Sequence, residues 1–218
     1  LASPSKQIIL HKGTCCGIDT EGKFNPNNID PQKLSRMKSK WGIADDDWVI
    51  GYSGRLVRDK GIIELVRAFR NVKKANAHYK LLLVGMFEVR DALPDDVQQD
   101  IKNDTQIVWT DFQNSDMEYF YAMMNVYVLA SYREGFPTGV LEAQSMQVPV
   151  ITTRATGCCD SILEGETGLF VEHNVTQLAD AIRSIHDARS SVDGQKAREW
   201  VRKNFENHIV WNEIEKLY

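Results

Sequence analysis

Two glutamates, Glu134 and Glu142, are separated by seven residues in the stretch from Ser131 to Ala143. Glu134 follows an apolar run typical of a buried strand, and Glu142 lies about one turn into the next helix. The N terminus of such a helix suits a diphosphate, and carboxylates beside it can hold sugar hydroxyls. A sugar nucleotide satisfies both features. The spacing equally permits a solvated Glu134 and a Glu142 that only favours its helix dipole.

An earlier loop carries two cations. Gly54-Arg55 and Lys60-Gly61 follow an apolar run that ends at Ser53. Arginine can fork onto phosphate oxygens, and lysine acts as a point charge. Two isolated surface cations would ordinarily be solvated. We predict a diphosphate site here because a second phosphate-binding loop is expected on the same edge of the sheet.

The positions of these loops follow from the order of elements. Apolar periodicity alternates between the strand and helix patterns throughout the chain. This alternation predicts an α/β fold with a Rossmann-like, doubly wound parallel sheet, formed by residues 1–218 as one domain. We predict strands at 6–10, 48–53, 79–84, 106–109, 126–130, 148–152 and 168–172. We predict helices at 31–41, from 62 onward, and at 95–102, 115–124, 138–146, 160–164, 175–188, 194–204 and 208–217.

Composition excludes several classes of protein. The net charge is -4, and the 26 Lys and Arg are dispersed among 30 Asp and Glu, which argues against a nucleic-acid partner. No apolar run approaches the roughly 18 residues of a membrane-spanning helix. The first residues, Leu1 to Lys6, lack the pattern of a signal peptide. We therefore expect a cytoplasmic protein.

The cysteines form two adjacent pairs, Cys15-Cys16 and Cys158-Cys159. Neighbouring cysteines rarely bridge to each other, and metal sites prefer intervening residues between thiolates. We expect free thiols, with a shared metal or bridge remaining open if the two loops meet.

Other conspicuous residues are predicted to be structural, and we predict no metal site. The acidic run Asp45 to Asp47 precedes a strand and should lie on the edge of the sheet opposite the ligand. The five histidines show no metal-ligand spacing, although His11 could face the cleft. The cluster from Tyr119 to Met124 is expected to be helix core.

Several longer stretches resemble one family. EGFPTGVLEA, VPVITT and EGETGLFVE are similar to the C-terminal domain of retaining glycosyltransferases of family four, the glycosyl transferases group 1. The resemblance extends from the stretch Gly13 to Asp19 and Phe24-Asn25-Pro26 to the final aromatic helix ending at Tyr218. It implies the C-terminal half of a GT-B fold, preceded in the family by an acceptor-binding domain that this chain lacks.

The resemblance also implies residue roles. Glu142 would hold the ribose, Glu134 the transferred sugar, and the amides of Thr138, Gly139 and Val140 the diphosphate. The base would lie against the turn from Val108 to Phe112, near Gly85 and Met86, although Trp109-Thr110-Asp111 departs from the family pattern. Catalytic roles fall to Glu134, Arg55 and Lys60. The implied donor site comprises Gly54, Arg55, Lys60, Val108, Thr110, Glu134, Phe136, Pro137, Thr138, Gly139, Val140 and Glu142.

The implied activity is transfer of a hexosyl unit, with retention, from a nucleoside-diphosphate sugar to a hydroxyl. UDP is the expected nucleotide, no separate cofactor is expected, and the acceptor would be a glycan or lipid-linked sugar at the inner face of the membrane. The loop Thr156 to Asp160 resembles a T-G-C-R-D stretch of a subgroup that builds surface polysaccharides, with Cys159 in place of arginine. Three alternatives remain: a sugar-nucleotide epimerase, a pyridoxal-phosphate phosphorylase, and a non-catalytic flavodoxin-like binding module.

Overall fold

The structure is a computed structural model that describes residues 16–76 and 78–216. The strand predicted at 6–10, His11 and Cys15 lie outside the described residues. Six strands form one sheet in the order β3-β2-β1-β4-β5-β6, and all paired neighbours are parallel. The strands are β1 (Trp48–Ser53), β2 (Tyr79–Val84), β3 (Ile107–Trp109), β4 (Val126–Leu129), β5 (Val150–Thr153) and β6 (Gly168–Val171).

Eight α-helices flank this sheet in the described chain. They are α1 (Pro31–Lys40), α2 (Ile62–Val72), α3 (Asp95–Asn103), α4 (Met117–Ala122), α5 (Thr138–Ser145), α6 (Val175–His186), α7 (Gly194–Phe205) and α8 (Asn207–Glu215). The Asp30 side chain caps α1 by accepting the N–H of Gln32, with Pro31 at the first helical position. Asn174 and Asp193 cap α6 and α7 in the same way. Local capping residues therefore set where these helices begin.

Burial of apolar side chains fixes the layers. Every residue of β4 and β5 is buried, as expected for central strands covered on both faces. Helix α2 packs against α6, and α5 packs against α7. The predicted α/β, Rossmann-like parallel sheet is confirmed.

The strand order determines where a ligand can bind. The chain builds outward from β1 to β3 and then returns to place β4 on the other side of β1. The loops after β1 and β4 therefore diverge in opposite directions and leave a crevice at the carboxyl edge. This crevice lies between the two loops that the sequence identified.

One predicted helix is wrong. Residues 160–164 are not helical, and a short 3-10 helix, Thr156–Cys158, precedes them instead. Ser161 Oγ donates to the carbonyl of Cys158, and the Leu163 N–H donates to Thr167 Oγ1. These side-chain bonds compete with helical backbone pairing, and Gly165 then turns the chain with a φ of 77°.

The start of α4 also differs from the prediction. The residue before the helix is Asp116 rather than Ser115, and Asp116 has a left-handed φ of 59° without capping the helix through its side chain. Over residues 16–76 and 78–216, no helix has both the length and the apolar character needed to span a membrane.

Candidate functional site

Glycine allows the loop after β1 to lie directly on the end of β4. Gly61 precedes α2 with a φ of 69°, and a Cβ atom there would stand 2.0 Å from the carbonyl oxygen of Ala130. No side chain fits this contact. The loop of Arg55 and Lys60 is thereby held beside the loop of Glu134.

An ion pair joins these two loops. Lys60 Nζ lies 2.7 Å from Glu134 Oε1 and also donates to the carbonyl of Arg133 at 3.3 Å. The Lys60 and Glu134 side chains are only 16% and 13% exposed. The predicted cation and the predicted acid of the site therefore meet, largely shielded from water.

Arg55 pairs with an acidic residue that its motif does not include. Its guanidinium contacts Glu88 Oε2 at 3.0 Å, while the side chain remains 57% exposed. Glu88 belongs to the loop after β2 and was not identified from the sequence. Because the Arg55 side chain is well exposed, a phosphate could compete with Glu88 for it.

Glu142 is held by a tyrosine of α4. The fully buried Tyr121 donates from its hydroxyl to Glu142 Oε2 at 2.7 Å, and Ser53 Oγ lies 2.8 Å from the same hydroxyl. Burial raises the pKa of Glu142 above its ordinary value, although the Tyr121 hydrogen bond opposes that rise. The cluster predicted as plain core is thus buried as expected, and Tyr121 in it also orients a site carboxylate.

The N terminus of α5 separates the two glutamates. Pro137 precedes it, and none of the described side chains caps it. The Val140 N–H already donates to the Pro137 carbonyl at 3.0 Å. We therefore keep only the amides of Thr138 and Gly139 in the predicted diphosphate contact, and Val140, which is fully buried, serves the core.

Two cavities open at this edge and share part of their walls. The Glu142 cavity, of about 460 Å³, is also lined by Gly85, Met86, Glu88, Phe112, Gln113, Met117 and Tyr121. The Glu134 cavity, of about 270 Å³, is also lined by Lys60, Phe136 and Pro137. Both contain Ser53, Gly54, Arg55, Thr138 and Gly139. The shared wall joins the β1 loop to the N terminus of α5.

Val108 and Thr110 do not line either cavity. Val108 is paired with Leu82 within the sheet, and the N–H of the buried Thr110 donates to the carbonyl of Leu83. Their backbone is therefore used by the β-ladder. Phe112 and Gln113, which follow the turn at Asp111, line the Glu142 cavity instead.

The loop from Thr156 to Asp160 supports the site from behind. The Gly157 N–H donates to the carbonyl of Glu134 at 3.2 Å, which fixes the loop that carries the acid. Cys158 is buried, and burial raises the pKa of its thiol to about 11. Cys158 and Cys159 are not bridged to each other, as predicted, and a thiol with so high a pKa is a poor nucleophile at neutral pH.

A second polar group occupies the opposite edge. Ligand atoms of Asp46, Asp47 and His78 lie within 4.8 Å of one another, at residues that directly precede β1 and β2. Their sequence spacing gave no sign of this grouping. Parallel strands place it at the amino edge, away from the crevice.

Comparison with known proteins identifies the family of this chain. The family model for glycosyl transferases group 1 matches residues 35–206. The capsular polysaccharide biosynthesis glycosyltransferase CapM of Staphylococcus aureus is 35% identical over 100% of this chain and 56% of its own length. The chain thus spans about half the length of the curated relatives it matches.

Solved structures share the fold. The C-terminal domain of LpcC, a group 1 family protein from Francisella tularensis, matches with a TM-score of 0.72 and 26% identity, over 87% of this chain and 99% of that chain. Anabaena HepE in complex with UDP and glucose matches with a TM-score of 0.76 and 20% identity, over 92% of this chain and 54% of that chain. The chain belongs to the glycosyl transferases group 1 family and corresponds to the C-terminal domain of its GT-B fold.

Proposed function

We propose that this chain is the donor-binding half of a retaining hexosyltransferase that uses a UDP-sugar. One observation carries the proposal: two cavities, each containing one of the predicted glutamates, meet at a wall formed by cationic and N–H-bearing groups. A sugar nucleotide has a matching arrangement: a nucleoside at one end, a sugar at the other and a diphosphate between them.

Each part of that donor has a matching environment. The Glu142 cavity is the larger and would hold the nucleoside, with the carboxylate accepting from ribose hydroxyls and the base near Phe112 and Gly85. The Glu134 cavity would hold the hexose. The diphosphate would lie between them, against Arg55 and the amides of Thr138 and Gly139.

The chemistry follows from where charge develops. The bond between the anomeric carbon and the leaving phosphate oxygen breaks, and negative charge grows on the diphosphate. Arg55, Lys60 and the N terminus of α5 line the cavities around that charge, so they would stabilise the transition state once phosphate replaces Glu88 as the partner of Arg55. The acceptor hydroxyl oxygen bonds to the same face of the anomeric carbon and gives its proton to the leaving phosphate. Glu134 contacts the sugar and already pairs with Lys60.

The biological role of the chain is proposed from the names of its relatives. CapM is named for capsular polysaccharide synthesis, and HepE has been crystallised with UDP-glucose. We propose a corresponding role in surface polysaccharide or glycolipid synthesis at the inner face of the membrane. Because the chain spans about half of its relatives, we expect it to bind nucleotide and to transfer no sugar without an acceptor-binding partner domain.

Isothermal titration calorimetry with UDP tests the proposal. Wild type should bind UDP, and Arg55→Ala should weaken binding by roughly 10-fold or more through loss of a charge-assisted hydrogen bond. Arg36→Ala removes an exposed arginine from α1 and should leave the affinity unchanged. Absence of UDP binding by wild type, or equal affinities for Arg55→Ala and Arg36→Ala, would contradict the donor assignment.

A further inference from the structure

Another cavity opens at the carboxyl edge, apart from the two donor cavities. The tyrosine cavity, of about 370 Å³, has a polar and aromatic lining formed by Arg58, Asp59, Glu64, Asp91, Tyr132 and Arg133. These residues come from the loops after β1, β2 and β4 and from the start of α2. None of them lines the Glu134 or Glu142 cavity, so the proposed donor leaves the tyrosine cavity free.

Tyr132 is held firmly in the wall of this cavity. The imidazole of His173 stacks on its ring, with the centroids 3.8 Å apart and the ring planes 9° from parallel. The Tyr132 hydroxyl donates to Glu64 Oε1 at 2.9 Å, and its backbone N–H donates to the carbonyl of Asp59 at 2.9 Å. Tyr132 nevertheless remains 44% exposed. An aromatic ring that is already fixed loses little conformational entropy when a ligand packs on it.

Glu64 brings an unsatisfied oxygen to the same wall. Its Oε1 accepts from Tyr132, whereas its Oε2 is shielded from water and has no hydrogen-bond partner among residues 16–76 and 78–216. A shielded carboxylate oxygen without a donor is costly. A hydroxyl donor placed in the cavity would reduce that cost, so the wall favours a ligand that carries one.

The charges of the wall do not favour an anion. The carboxylates of Asp59, Glu64 and Asp91 accompany the guanidinium groups of Arg58 and Arg133. Asp59 Oδ1 accepts from Arg133 Nε at 3.2 Å, and Arg58 Nε donates to a backbone carbonyl at 2.6 Å. The Arg133 side chain still remains 84% exposed. The wall therefore has a negative formal charge and offers both hydrogen-bond acceptors and N–H donors to a ligand.

A sugar has the matching chemistry. Each sugar hydroxyl both donates and accepts hydrogen bonds, and the C–H groups on one face of a pyranose pack on an aromatic ring. We propose that the tyrosine cavity binds a neutral hexose unit of a glycan, with the pyranose against Tyr132 and its hydroxyls on Glu64 and Arg133. Because Arg133 directly precedes Glu134, this unit would be held beside the Glu134 cavity without entering it. The site goes beyond the proposed donor function and does not depend on it.

Backbone amide NMR titration with methyl hexosides tests this site. The probes are the methyl α-glycosides of glucose, galactose and N-acetylglucosamine, and glucose 6-phosphate represents an anionic sugar. At least one methyl hexoside should shift the resonances of residues 63–64, 91 and 132–133. Glucose 6-phosphate should bind more weakly at these residues, because the negative wall repels its phosphate.

Variants identify the contacts. Tyr132→Ala removes the aromatic ring and should weaken hexoside binding by roughly 10-fold, whereas Tyr132→Phe keeps the ring and should weaken it less. Glu64→Gln keeps the size of the side chain but replaces one carboxylate oxygen with an N–H donor, and it should also weaken binding by roughly 10-fold. Trp211→Ala removes another exposed aromatic ring, on α8, and should bind the hexoside as wild type does.

Contrary results can be told apart. Absence of hexoside shifts at residues 63–64, 91 and 132–133, or shifts confined to residues 134–139, would overturn the tyrosine cavity as a sugar site. Equal hexoside affinities for wild type, Tyr132→Ala and Glu64→Gln would do the same. Stronger binding of glucose 6-phosphate than of every methyl hexoside would assign the cavity to an anion instead. Failure of the chain to bind UDP would overturn the donor site alone, because the hexosides are followed at residues outside the donor cavities.

Discussion

Both edges of this sheet bring an acidic and a basic side chain together, but in different settings. At the amino edge, the Asp46 and His78 side chains are 70% and 56% exposed. At the carboxyl edge, Lys60 and Glu134 form an ion pair with both side chains less than 20% exposed. Water screens the first group, whereas the second keeps its field for a ligand. The exposure of these side chains to water therefore distinguishes the two edges better than the types of residue do.

The largest expected effect comes from Gly61 in the crevice loop, compared with Gly42 in the loop between α1 and β1. Gly61 and Gly42 have φ angles of 69° and 64°, but a Cβ at Gly42 would meet no described atom within 4 Å. Gly61→Ala should destabilise the fold by about 2–4 kcal/mol, from backbone strain plus the clash with Ala130. Gly42→Ala should cost about 1 kcal/mol, from strain alone. Urea denaturation measures both, and equal losses would mean that the contact with β4 is not tight.

The next effect tests how Glu142 is held. Tyr121→Phe removes a 2.7 Å hydrogen bond to a buried carboxylate and should cost about 1–3 kcal/mol in the free energy of unfolding. Tyr127→Phe is the matched control, because its hydroxyl contacts only Ser53 among the described residues, at 3.3 Å and 3.4 Å. Its cost should be about 0.5–1.5 kcal/mol. If thermal or urea unfolding shows the two variants to be equally stable, the Tyr121 bond does not orient Glu142.

The smallest effect is a pH dependence. Burial raises the folded-state pKa of Glu142 above the ordinary 4.5, so the folded chain binds a proton that the unfolded chain releases. The stability due to this group is therefore greatest below pH 4.5 and declines as pH rises towards the raised pKa. The difference in unfolding free energy between wild type and Glu142→Gln should fall with pH over that interval. Glu199→Gln on α7 controls for the loss of one carboxylate, and a flat difference for Glu142→Gln would contradict the buried carboxylate.

Strong periodic signals made most of the fold predictable. Helices α1 and α2 begin at Pro31 and Ile62, as predicted. Helix α2 buries Ile62, Leu65, Val66 and Phe69, whose spacing places them on one face. The helix at 160–164 was mispredicted because Ser161 and Thr167 bond to nearby backbone groups, which periodicity does not register.

The site was predictable in its loops but only partly in its contacts. Residues 54–61 and 131–138 follow strands on either side of the switch in strand order, so their meeting could be inferred. The pairing of Arg55 with Glu88 and of Glu142 with Tyr121 joins residues 33 and 21 positions apart. Such contacts depend on side-chain packing across strands, and sequence spacing contains no signal for them.

Mapping UDP onto the chain tests the central claim most directly. In backbone amide NMR spectra, UDP should shift the resonances of residues 54–61, 112–113 and 134–142 at the carboxyl edge and leave residues 45–47 and 78 unchanged. Shifts centred on Asp46, Asp47 and His78, or no shifts at any concentration of UDP, would contradict a donor site between the two glutamates.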